Sequence, residues 1–119
     1  MTNLTSVSAV RLADLIKRRE ITSRDAVDAH IALAERVNPT LNAIVRTRFA
    51  DARREADAAD AKTASAPAND LPPFHGVPCT IKECFEFTGM PNSAGLVRRN
   101  RVGIGTRCAS RHLNVNSST

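Results

Sequence analysis

Lys82 stands where an ordinary lysine is least expected. It closes the stretch Phe74-His75-Gly76-Val77-Pro78-Cys79-Thr80-Ile81-Lys82 and is followed by Glu83-Cys84-Phe85. A strongly hydrated ammonium group normally avoids the end of an apolar run. Either its aliphatic stem packs while the head reaches water, or the amine is desolvated and its proton affinity falls. The other reactive residue types are less informative. Cys79 and Cys84 lie five apart and Cys108 stands by itself, with no second Cys/His pair to complete four ligands, so they read as reduced structural thiols. No metal site and no cofactor is expected. His30 and His75 have no Asp or Cys placed to make a triad and read as structural. Beyond Lys82 the serines are Ser93, Ser110, Ser117 and Ser118, none in a run of glycines that could form a close-approach turn.

The elements that would position Lys82 follow from periodicity. After the cap candidates Thr5 and Ser6, apolar residues at Ala9, Leu12, Ala13, Leu15 and Ile16 predict a short amphipathic helix. Lys17, Arg18 and Arg19 suit the negative end of its dipole. Thr22 with Asp25 three residues later forms a weaker capping box, and a second helix follows through Val27, His30, Ile31, Ala34 and Val37. Asn38-Pro39 is expected to end it, because the residue before proline is pushed out of the α region. Leu41 to Val45 is a β-branched run and a strand candidate. From Phe49 to about Ala61, the residues Phe49, Ala52, Ala56 and Ala59 mark one face of a third, alanine-lined helix, with Arg53 and Asp57 spaced for an i,i+4 pair. Such a helix suits lying on a larger body. Thr63 to Pro73 reads as a loop, and Val77 to Ile81 as a second strand candidate. A lone strand pair is marginal without more partners, so these elements read as the opening of a larger α/β body.

Size and charge narrow the function classes. A chain of 119 residues is one domain at most, and burial of roughly two thirds of its unfolded surface leaves a modest core. There is no Trp or Tyr and only four Phe, so large core anchors are scarce. No run approaches the roughly 18 to 20 apolar residues of a membrane span, and the start has no charged-then-apolar export signal. The default compartment is therefore the cytoplasm. The net charge of +5 is confined to the last 22 residues, where Arg98, Arg99, Arg101, Arg107 and Arg111 occur with no acid, while residues 1 to 97 hold 12 basic and 12 acidic side chains. Nucleic acid is not the expected partner, because basic residues are not interleaved with readers over a folded face.

Gly76-x-Pro78-x-x-Ile81-Lys82-Glu83 resembles the lysine-bearing motif of the amidase-signature enzymes. The likeness extends backward through two amphipathic helices, Asn38-Pro39-x-Leu41-Asn42-Ala43, a helix of Ala and Arg, and a Pro-rich loop. Forward, Lys82-Glu83-Cys84-Phe85 with Gly89-Met90-Pro91-Asn92-Ser93-Ala94-Gly95-Leu96 is similar to the fatty-acid amide hydrolase branch. The ordered combination, over roughly Leu4 to Thr106, is more specific than any one motif.

The resemblance implies the N-terminal helices and first strands of a mixed-sheet α/β fold, here incomplete, and Lys82 as catalytic residue. It further implies an amide substrate and a catalytic set of lysine, a serine after a cis peptide bond, and a second serine that attacks the carbonyl. A lysine acts as a base only in its neutral form, which an apolar setting favours. The serines and the N–H groups aimed at the oxyanion belong to a Gly/Ser-rich segment that these residues do not contain. The chain is therefore expected to be an inactive N-terminal fragment of an amidase, with Lys82 its one site residue. The glutamine-hydrolysing component of the enzyme that amidates charged tRNA is a second reading within the family.

Residues 1–106 follow the family pattern. From Arg107 to Thr119 the chain has no helical or strand period and reads as an unrelated tail, the expected product of a frameshift near Thr106. Another frame of the gene would then encode a Gly/Ser-rich continuation. The alternative from a different class is a small non-enzymatic interaction module whose basic C-terminal tail, from Arg98 onward, would bind nucleic acid or an acidic partner, with salt-sensitive binding to DNA or RNA as its mark.

Overall fold

The computed structural model describes residues 3–85 and 87–96. The chain divides into two compact units, Met1–Pro78 and Cys79–Thr119. The tail from Arg107 to Thr119 lies outside the described residues.

The first unit is built on three helices. Helix α1 spans Ala9–Lys17, and Leu12, Ala13, Leu15 and Ile16 are its buried face, as their spacing predicts. Its N-cap is Ser8, whose hydroxyl accepts the Arg11 N–H at 3.3 Å, rather than Thr5 or Ser6. Those two residues lie in a preceding 3-10 turn, Leu4–Ser6, capped by Asn3. At the other end, Glu20 donates its N–H to Leu15 and Arg19 to Ile16, each at 2.9 Å, with Arg19 left-handed at φ 61. This Schellman arrangement usually takes glycine. Here the Arg19 guanidinium reaches the Thr63 carbonyl at 3.0 Å, so the cation serves the C-terminal end of another helix.

Helix α2 spans Ser23–Leu41 and starts with its orphan donors accounted for. The Asp25 N–H goes to the Thr22 hydroxyl, and the Thr22 N–H to the Asp25 carboxylate, which completes the expected capping box. The Ser23 and Arg24 N–H groups go to the two oxygens of Asp60 at 2.6 and 3.0 Å. Helix α3, Phe49–Ser65, supplies that aspartate and so caps its neighbour from the side. Val27, Ile31 and Ala56 form the shared core, with Phe49 and Ala52 against it. A second cluster joins Leu12, Ile16 and Ala26, with Leu4, Val7, Ile21 and Val77 packed on it.

Further expectations change. Helix α2 runs through Pro39 to Leu41, because Asn38 folds the chain back on itself. The Asn38 side chain accepts the Ile44 N–H at 2.8 Å and donates to the Ile44 carbonyl at 3.0 Å, while Asn42, at φ 49, caps the helix by bonding the Asn38 carbonyl. The same amide overturns the strand at Leu41 to Val45: it takes the backbone groups of Ile44 that a neighbouring strand would need. Val77 to Ile81 is likewise irregular, and the described residues contain no strand, so the α/β reading is met here only in its helices. Finally, Arg53 does not pair with Asp57. It meets Asp28 of α2 at 2.7 Å, and Asp57 meets Arg24 at 2.9 Å, so the charges join two helices instead of decorating one.

Helix α3 also runs further than its spacing suggests, to Ser65, because the Thr63 and Ser65 hydroxyls bond back to carbonyls of its last turns. Ala52 and Ala56 pack in the core shared with α2, and Ala56, Ala59 and Thr63 are buried. The 3-10 turn Ala68–Asp70 then leads to the buried Leu71.

Candidate active site

The approach to the lysine motif is fixed within the first unit. His75 is 2% exposed, and its Nε2 lies 3.0 Å from both the Ala59 carbonyl and the Thr63 hydroxyl of α3. Gly76 follows at φ 73, in the left-handed region. A β-carbon there would stand 1.9 Å from the Ser23 hydroxyl and 3.4 Å from an Ile16 methyl. The motif glycine thus answers two demands at once, a positive φ and a backbone pressed against the start of α2. Ser23 is fully buried, and its hydroxyl has no hydrogen-bond partner among the described residues.

In the second unit Lys82 opens a turn that Phe85 closes by donating its N–H to the Lys82 carbonyl at 3.0 Å. The lysine is exposed, so the dry strand-end setting expected of it is not formed by the described residues. The physical reason is the missing strand: among the described residues 77–81 are irregular and form no strand that would carry Lys82 into a sheet. Phe85 and Leu96 are also exposed, at 61% and 55%.

The neighbour of the lysine is the more constrained residue. Glu83 receives the Ser93 N–H on one carboxylate oxygen and the Ala94 N–H on the other, the latter at 2.8 Å. Foremost the Ser93 N–H, then the Ser93 hydroxyl, the Ala94 N–H and the charge of Lys82 hold this carboxyl below its ordinary 4.5. Ala94 and Gly95 are left-handed, at φ 47 and 78, which turns successive N–H groups toward the anion. Sequence reasoning missed this contact. Its only advance signal was the acidic residue beside the lysine.

The remaining reactive groups have surroundings of their own. Cys79 and Cys84 are exposed. His30 bonds the Ala26 carbonyl of its own helix at 2.8 Å, and His75 is spent on α3, in keeping with their structural reading. Among the described residues no group of three His, Cys, Asp or Glu could hold a metal ion, and no helix is long and apolar enough to cross a membrane. The first unit has an open cavity of about 340 Å³ at the end of α2, lined by Ala34, Asn38, Ile44 and Phe49 among others, and Lys82 does not line it.

A model of the family described as Amidase matches residues 25–101. The chain belongs to the amidase family. Among curated proteins, this amidase chain is 43% identical to fatty-acid amide hydrolase 2 of Homo sapiens over 98 residues, 78% of the chain and 18% of that protein. It is 39% identical to indoleacetamide hydrolase of Bradyrhizobium diazoefficiens over 89 residues, 75% of the chain and 17% of that protein. It is 38% identical to a glutamyl-tRNA(Gln) amidotransferase component of Corynebacterium diphtheriae over 92 residues, 76% of the chain and 18% of that protein. The amidase chain thus spans less than a fifth of the length of these relatives.

Proposed function

We propose that this chain supplies the lysine-bearing part of an amide hydrolase, with Lys82 as the base of a lysine–serine–serine set. The observation that carries the reading is that the family match, residues 25–101, spans the whole Gly76 to Glu83 motif in which Lys82 sits. The relatives bear names of enzymes that act on amides, and the identity to fatty-acid amide hydrolase 2, 43%, favours that branch over the amidotransferase, with 38%. In the proposed reaction, neutral Lys82 takes a proton through the bridging serine from the second serine. That serine attacks the carbonyl carbon, the amine leaves with a proton, and water releases the acid from the acyl-enzyme. In the amidase-signature enzymes that this chain resembles, the serines belong to a Gly/Ser-rich segment, arranged with the lysine in a mixed-sheet α/β fold.

A base without its nucleophile has nothing to activate, so these 119 residues are inactive by themselves. Two assays test the reading. The purified chain should release no product from fatty or aryl amides. Residues 25–101 grafted over the matching segment of human fatty-acid amide hydrolase 2 should leave a working amidase. Turnover by the purified chain, or a soluble, folded graft with no activity, would count against it.

A further inference from the structure

Glu83 makes long connections within its unit. Its bonds to Ser93 and Ala94 join residues ten and eleven apart. The turn bonds around it, Phe85 to Lys82, Met90 to Phe87 and Leu96 to Ser93, each span three residues. A carboxylate is an acceptor with two oxygens, and here each oxygen receives one N–H, which no neutral side chain of the same length can match with two equivalent acceptors. Lys82 forms no ion pair among the described residues, so the adjacent carboxylate is spent on backbone and leaves the amine available. Ser93 is itself fixed, because its hydroxyl accepts the Gly95 N–H at 3.3 Å and its carbonyl the Leu96 N–H at 2.9 Å.

We propose that Glu83 is a positioning residue for Lys82: by clamping the Ser93–Ala94 backbone it ties the turn that carries the lysine to the loop 87–96 and fixes where the amine starts from. This rests on Lys82 being the base, but the clamp can be tested independently. In the isotope-labelled 119-residue chain, the Ser93 and Ala94 amide protons should titrate together with one carboxyl group, at a midpoint below 4.5. Glu83→Gln should abolish that titration while keeping part of the exchange protection, because its amide oxygen can still accept one N–H. Glu83→Ala should speed exchange at Ser93, Ala94 and Phe85 by about tenfold or more. The Leu12 and Ile16 amides of α1 should be unchanged in both variants, which shows that the first unit stays folded. Lys82→Ala should leave the titration in place, which separates the clamp from the fate of the lysine reading. Absence of the titration in the unsubstituted chain, or Phe85 exchange indifferent to Glu83→Ala, would overturn the proposal.

Discussion

At the scale of single residues, Gly76 shows how a motif letter acquires a cause. The sequence places a glycine six residues before Lys82, but only the packing explains it: φ 73 and a Ser23 hydroxyl where a β-carbon would go. Left-handed backbone costs a non-glycine residue about 1–2 kcal/mol, and overpacking adds about 1–3. Gly76→Ala should therefore lower the stability of the chain by roughly 2–5 kcal/mol. Urea unfolding followed by helical circular dichroism measures this, and an unshifted midpoint would mean that the Ser23 contact is relieved at no cost. Lys82 was legible in the sequence as an anomaly and as a motif residue, whereas its exposure was not. The Glu83 clamp was invisible beforehand because it depends on the left-handed turn at Ala94 and Gly95, and a non-glycine residue in that region is not readable from residue type alone.

At the scale of elements, three helices were legible from their apolar spacing, and the capping box of α2 from Thr22 and Asp25. Both strand candidates failed, since a strand is defined by its partner, and β-branched composition cannot say whether one exists. The Asn38 amide pairing with Ile44 decides the first case. The i,i+4 reading of Arg53 and Asp57 failed because helix α2 offers each of them a partner across the interface. Two predictions belong here. Asp60→Ala, which leaves the Ser23 and Arg24 N–H groups without their acceptor, should cost about 1–2 kcal/mol by the same unfolding measurement; a loss within error of zero would assign those donors to water. The second concerns acid. Thr22, through its hydroxyl and then its N–H, depresses the Asp25 carboxyl, and Arg53 and then Arg24 depress Asp28. A depressed folded value means that the stabilisation is present above the unfolded carboxylate's value of about 3.9 and is lost as pH falls through the lower folded value. The thermal midpoint of the helical signal should thus fall between about pH 5 and pH 2, and less steeply in Asp28→Asn. Parallel curves for the two proteins would exclude Asp28 as a contributor.

At the scale of the whole molecule, the sequence carried the family further than it carried the fold. Motif order is preserved in any stretch of chain, but a mixed sheet exists only when its strands are together, and the described residues form none. The exposed Phe85 and Leu96 in the unit that holds Lys82 are apolar surface of the kind a larger body covers. The proposed chemistry makes Lys82 the base of an amide-cleaving site. Its most direct measurement is kcat/KM for a fatty amide in the graft of residues 25–101, with Lys82 changed to alanine and to arginine. A positioned base contributes about 100- to 10,000-fold, and arginine keeps the charge but cannot give up its proton. Both variants should therefore lose activity by about that factor while remaining folded. Turnover by Lys82→Ala at the rate of the unsubstituted graft would contradict the claim.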